Sequence, residues 1–281
     1  MKRAVLVGIN YTGSASPLNG CINDIINIKN LLTSSCGFCE ENIRVLTDNT
    51  VDKPIRQNIE RELRWLVENS VENDTLVLYY SGHGAQIKDT DGDETDTLDE
   101  VLVPLDYVTR GVIKDDWVFS EVVNKVKRNT NLWMFTDCCH SGTIVDLKYT
   151  YSCLSELKRG EIRNDLEYKS DDWTTKFGIT LQKKPDIVGN VYLFSGCQDR
   201  EKSTDAYLND MSQGAFTNCF LETISRFIVT MPDKTKRYNN SLKLFDIIKE
   251  VNCRLDIKGF RNQNPQLSVS KQSDLEKLFI L

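Results

Sequence analysis

The chain has 281 residues, 40% of them hydrophobic, with 35 basic against 41 acidic side chains and a formal net charge of −6. That is enough for one large α/β domain or two small ones, and the acidic balance, without a basic block or an aromatic-interleaved basic stripe, leaves no nucleic-acid footprint. No apolar stretch is long enough to span a membrane, and nine cysteines, odd in number and partly set inside apolar runs as Cys219 and Cys253 are, read as reduced thiols of a cytoplasmic protein.

The opening MKRAVLVGIN has two basic residues before an apolar run, but the run stops at Asn10 without a cleavage pattern, so residues 4–9 read as a strand rather than a signal peptide. Buried strands are also predicted at 43–47, 75–80, 132–136 and 191–195, each a short apolar run bounded by turn or cap residues. Between them lie helical stripes. Residues 54–67 start with Pro54 in the first turn and align Ile55, Ile59, Leu63, Leu66 and Val67. Further stripes are Phe119, Val122, Val123 and Val126; Phe216, Phe220, Ile224 and Phe227; and Leu244, Ile247, Ile248, Val251 and Leu255 after a Ser241 cap. Alternation of strand and helix predicts an α/β fold, a mostly parallel central sheet with helices on both faces. Residues 146–188 lack sustained periodicity and carry scattered basic residues, from Lys148 through Arg159 to Lys184, and read as a surface connection between regions 1–145 and 189–281.

In open α/β sheets, sites form at the carboxyl ends of strands. Here TLVLYYSGHG delivers Ser81 and His83, and LWMFTDCCHSG delivers Asp137, Cys138, Cys139 and His140. Strand side chains alternate, so Ser81 and His83 share one side of their strand, and Asp137 and Cys139 one side of theirs, which separates Cys139 from Cys138. A cysteine nucleophile needs its thiolate, and an imidazole nearby assists the ionisation. His83, between Gly82 and Gly84, is the better partner, because His140 adjoins the cysteine in sequence and points away from it. The backbone N–H groups of Gly84 and Cys139 are the candidate oxyanion donors.

YYSGHG, DCCHSGT, LNGCINDI, SGCQD and GAFT together resemble the motifs of metacaspases, caspase-related cysteine peptidases, over nearly the whole chain. The 56 residues from His83 to Cys139 also resemble the caspase-type offset of about 50. The resemblance implies a caspase-like fold in one peptidase domain, monomeric, with a His83–Cys139 dyad and cleavage of protein or peptide substrates after Arg or Lys. It places Cys21, Asp24, Ser81 and Asp137 in a small acidic pocket, where a carboxylate stripped of water calls for a cation. Without the family, Asp24 reads equally as a helix-start residue. A first strand at residue 3 further implies that no recruitment domain precedes the peptidase.

The run KDTDGDETDTLDE at 88–100 imperfectly matches an EF-hand loop, since Gly92 is misplaced and no helix pair flanks it, and a solvated hairpin is the plainer reading. The family resemblance instead implies Ca²⁺ held by Asp99, Asp115, Asp116 and Asp146, while the basic residues of the aperiodic segment 146–188 point to self-processing there. Cys36 and Cys39 form a CxxC without the second ligand pair of a zinc site, and VGIN lacks the glycines of a dinucleotide fingerprint. Two rival readings are a catalytically silent homologue acting as a regulatory or scaffolding partner, and a calcium-responsive binding module without proteolysis.

Overall fold

The computed structural model describes residues 1–88, 98–138, 144–145, 147–153, 165–170, 173–182, 185–197, 205–208, 211–272 and 277–281. Each predicted apolar run forms a strand: β1 (Lys2–Gly8), β2 (Ile43–Thr47), β3 (Thr75–Ser81), β7 (Asn131–Asp137) and β11 (Asn190–Ser195), side by side and parallel in the order β2-β1-β3-β7-β11. These runs are apolar at every position because both faces of the sheet are covered. On one face, Ala4, Leu6, Val77, Tyr79, Trp133, Phe135, Tyr192 and Phe194 pack with α1 (Cys21–Ser35), α5 (Ala215–Ser225) and α6 (Leu244–Ile257). The alternate residues, Val5, Val7, Leu76, Leu78, Leu132, Met134, Val191 and Leu193, face α2 (Arg56–Val67) and α4 (Asp115–Glu121). At the edge of the first layer, Gly8 lets α1 approach, for a Cβ there would stand 2.6 Å from the Cys21 carbonyl oxygen.

The sheet then continues with antiparallel strands in the order β11-β16-β8-β10-β9, formed by β16 (Gln266–Val269), β8 (Tyr149–Cys153), β10 (Trp173–Leu181) and β9 (Asp165–Ser170). Three of these strands come from the segment read as a surface connection. Its period is two, not 3.6: Tyr149, Tyr151 and Cys153 alternate along β8 toward the α6 face, and Tyr151 and Phe177 are fully buried against Phe245.

Smaller sheets flank this core. β4 (Gly84–Lys88), β5 (Leu98–Leu102) and β6 (Ile113–Lys114) form one, and its β4–β5 pairing bears out a hairpin around the acidic run, whose residues 89–97 lie outside the described ones. A single turn, α3 (Tyr107–Arg110), joins β5 to β6. β12 (Asp205–Leu208) pairs with β13 (Met211–Gly214), and β14 (Ile228–Thr230) with β15 (Lys236–Tyr238).

Helix boundaries differ from the sequence reading in four places, the first being α5, which ends at Ser225 before Phe227. α2 starts at Arg56 rather than Pro54, because its first free N–H, that of Arg56, is taken at 2.8 Å by Asp106 Oδ1 from outside the helix. The 119–126 stripe is α4 followed by a 3-10 turn at Val123–Lys125, with Val122, Val123 and Val126 buried. Ser241 does not cap α6: Lys243 holds the N-cap position, and the Ser241 hydroxyl donates to Asn239 Oδ1. No described helix is long and apolar enough to cross a membrane, and the eight described cysteines are free thiols.

Candidate active site

β3 and β7 are neighbours, and Ser81 pairs in register with Asp137 at their carboxyl ends. Alternation continues past the strand end, since Cys138 joins Leu132 and Met134 in the core under α2 and α4, buried to 1% exposure, while Asp137 faces the opposite layer. Cys139, His140 and Asp146 lie outside the described residues.

His83 follows Ser81 by two residues and is held from several sides. Its Nε2 lies 2.8 Å from the Ser16 carbonyl oxygen. A carbonyl can only accept, so Nε2 carries the proton and the neutral ring keeps its lone pair on Nδ1. The imidazole lies 4.5 Å from the Tyr11 ring, centroid to centroid. The His83 amide donates to the Tyr11 hydroxyl at 3.0 Å, and its carbonyl accepts from the Tyr80 hydroxyl at 2.8 Å and from the Val103 amide at 3.2 Å. Gly82 leaves room for this arrangement, as a Cβ there would stand 3.0 Å from the Tyr80 hydroxyl and 3.1 Å from that of Tyr11. Gly84 opens β4 opposite Leu102.

Around Ser81 lies a buried pair of carboxylates, Asp24 and Asp137. Asp24, in the first turn of α1, is wholly buried, and its side chain turns away from the helix: it accepts from the Ser81 hydroxyl at 2.8 Å and from the Gly214 amide at 3.0 and 3.1 Å. It is therefore a helix-start residue by position whose carboxylate ties α1 to the end of β3 and to Gly214. Asp137 Oδ2 accepts from both the amide and the hydroxyl of Thr217, at 2.9 and 2.7 Å, at the start of α5. The two carboxylates converge on Gly214, where any Cβ would overlap Asp137 and stand 2.9 Å from Asp24 Oδ2. Cys21 lies one turn before Asp24 and is buried. Burial, together with the charges of Asp24 and Asp137, raises the Tyr79 hydroxyl pKa well above its usual value, so Tyr79 stays neutral, bonded to Thr217 Oγ1.

A second cluster forms where β5 and β6 meet. Lys114 pairs with Val101, which brings Asp99 on β5 together with Asp115 and Asp116 at the start of α4, their ligand atoms within 4.8 Å of one another. Asp99 Oδ1 is buried without a hydrogen-bond partner among the described residues, while Oδ2 pairs with the Lys114 ammonium. Burial pushes the Asp115 carboxyl up to about 7, although the amides of Asp116 and Glu100 donate to it and act the other way. An orphaned buried carboxylate oxygen within a set of hard oxygen donors suits Ca²⁺, so these three residues fit that ion.

Gly214 and Thr217 belong to the GAFT motif and Tyr80 to YYSGHG, whereas Tyr11 and Ser16 carry no signal in the sequence. Ser16 acts through its carbonyl, which any residue supplies. The CxxC holds no matched pair: Cys36 is buried with its thiol pushed up to about 12, and Cys39 is exposed.

A family model described as metacaspase, peptidase C14 domain, matches residues 2–148. Among known proteins, Metacaspase-1 of Candida glabrata is 33% identical, the alignment covering all of this chain and 75% of the relative. Metacaspase-1B of Aspergillus terreus is 32% identical, with all of this chain and 78% of the relative covered. Among solved structures, protein GSU0716 from Geobacter sulfurreducens superposes with a TM-score of 0.64 at 22% identity, over 98% of this chain and 97% of that one.

Proposed function

This chain belongs to the metacaspase family, which makes it a cysteine-type peptidase of caspase-like fold, and from that premise we propose that it cuts peptide bonds after Arg or Lys with Cys139 as nucleophile and His83 as its base and acid. The observation that carries the specificity is the convergence of Asp24 and Asp137 on the bare α-carbon of Gly214, with Ser81, two residues before His83, bonded to Asp24. An extended substrate would set its basic side chain there, exchanging water for two carboxylates.

In the proposed reaction His83 Nδ1 takes the Cys139 thiol proton while Nε2 stays bonded to Ser16. The thiolate adds to the scissile carbonyl, and the oxyanion is met by the N–H groups of Gly84 and Cys139. The imidazolium returns its proton to the leaving amine as the C–N bond breaks. Water, deprotonated by the same nitrogen, then releases the acyl group. Cys139 follows Asp137 by two residues as His83 follows Ser81, so the dyad is read from the two adjacent strand ends.

Ca²⁺ held by Asp99, Asp115 and Asp116, with Asp146, would supply charge neutralisation that ties the β5–α4 corner to the segment after Cys139. We read the protein as a cytoplasmic monomer that nicks itself within 146–188.

The test is cleavage of matched reporter peptides ending in Arg, Lys or Asp, with and without Ca²⁺, alongside active-site titration by an Arg ketone. Cleavage after Arg and Lys, with one thiol titrated per chain, is expected. Preference for Asp, or no titratable thiol, would refute it.

A further inference from the structure

We propose that Tyr11 is a positioning residue for His83, holding the imidazole in the working tautomer; this rests on the dyad reading above. Tyr11 adopts a left-handed backbone conformation, φ 51°, which side chains other than glycine seldom take. What the strained conformation secures is visible around it. The Tyr11 side chain is 2% exposed, its ring faces the imidazole, and its hydroxyl accepts the His83 N–H while donating to the Val103 carbonyl oxygen at 2.6 Å. The Tyr80 hydroxyl, 3.3 Å from that of Tyr11, donates to the other end of the same residue, the His83 carbonyl. Burial raises both phenol pKa values, so both hydroxyls keep their protons and remain donors through neutral pH.

Five residues after Tyr11, in the same β1–α1 loop, comes Ser16, whose carbonyl fixes the Nε2 proton. One loop thus grips His83 by its ring face, its amide and its distal nitrogen. Only a correctly turned ring lets Nε2 reach Ser16, and only then is Nδ1 the basic nitrogen. The tyrosine hydroxyls bond the His83 backbone rather than its ring nitrogens, so their effect is on orientation and, through it, on tautomer.

The experiment uses the whole chain labelled with ¹⁵N-histidine; its two histidines are distinguished with His140→Gln. Wild-type His83 is expected as the Nε2–H tautomer. Tyr11→Phe keeps the ring and removes the hydroxyl, and it should mix the tautomers, shift the His83 titration and lower kcat on an Arg reporter about 10- to 100-fold, with little change in KM. Tyr80→Phe should act the same way but less strongly. Ile248→Val, a core change on α6 remote from the site, should move none of these readouts. Wild-type tautomer, titration and kcat in Tyr11→Phe would overturn the proposal. So would equal changes in Ile248→Val, which would mark a general loss of rigidity. His83→Ala tests the underlying dyad separately: activity surviving there refutes the dyad, whereas the tautomer measurement judges Tyr11 by itself.

Discussion

The carboxylate of Asp137 occupies the space that a side chain on Gly214 would need. A methyl group at this position has no room without moving that carboxylate and, with it, Asp24. Gly214→Ala is therefore expected to lower kcat/KM for Arg reporters about 100-fold, in keeping with an overpacking cost of about 1–3 kcal/mol. Thr217→Val, which removes the hydroxyl donor to Asp137 and with it the partner of the Tyr79 hydroxyl, should cost about tenfold. Wild-type kcat/KM in Gly214→Ala would show that the basic side chain binds elsewhere.

The two adjacent cysteines should separate cleanly. Cys138 lies in the core beneath α2, with its carbonyl accepting from Cys197 Sγ at 3.1 Å, so Cys138→Ala should lose about 1 kcal/mol of stability and keep most of its activity. Cys139→Ala should fold normally and turn over nothing. Kinetics and chemical denaturation of both variants decide this, and comparable activity in the two would reject the assignment.

Calorimetry on Cys139→Ala protein, which cannot digest itself, measures calcium directly. A Kd of about 10⁻⁵–10⁻³ M is expected, with Mg²⁺ weaker, because part of the binding energy goes into ordering the ligands. Asp115→Asn with Asp116→Asn should abolish the heat. Lys114→Met should tighten binding about 3- to 10-fold, since its ammonium competes for Asp99. An unaltered isotherm in the double variant would eliminate this site.

Alkaline pH should destabilise the fold through its buried thiols. Burial pushes Cys36 and Cys219 from 9.0 up to about 12, so the unfolded chain gives up these protons first. Their contribution is whole below about pH 9 and is lost as pH rises toward 12. Denaturation at several pH values should show a slope that Cys219→Ala flattens; an equal slope in both proteins would contradict it. Exposed Cys39 should alkylate well before either of them.

Self-cleavage should fall between strands. Lys148 pairs with Asp186 and leads directly into β8, whereas in the sequence Arg159 falls between β8 and β9 and Lys184 between β10 and β11. Mass spectrometry should find new termini after Arg159 or Lys184 rather than Lys148, and none in Cys139→Ala. Cuts that persist in that variant would point to another protease.

The parallel half of the sheet was legible because doubly covered strands are apolar throughout, as in TLVLYY. The antiparallel half was not: its signal is the alternation of Tyr149, Tyr151 and Cys153, easily lost among the charged residues of the opposite face. Asp24 and Asp137, picked out by a motif and a strand end, are both buried and meet at Gly214, and Asp99, Asp115 and Asp116, named from one family likeness, do meet in space. The support beneath His83 was hidden. A carbonyl at Ser16 and a φ of 51° at Tyr11 are backbone properties that residue identity does not encode.

The strand order has a consequence for any cut in 154–164 or 182–189. The piece before the cut contributes β7 and β8, the piece after it β11 and β16, and across the sheet they run β7-β11-β16-β8. The two fragments are interleaved like folded hands: after a cut in 154–164 each is clasped between strands of the other, and after one in 182–189 β11 and β16 stay clasped between β7 and β8 of the first piece, so hydrolysis of the backbone releases nothing. A nicked molecule would elute as an intact one under native conditions and fall apart only in detergent. By the same logic, the halves expressed as separate chains should find each other and reassemble.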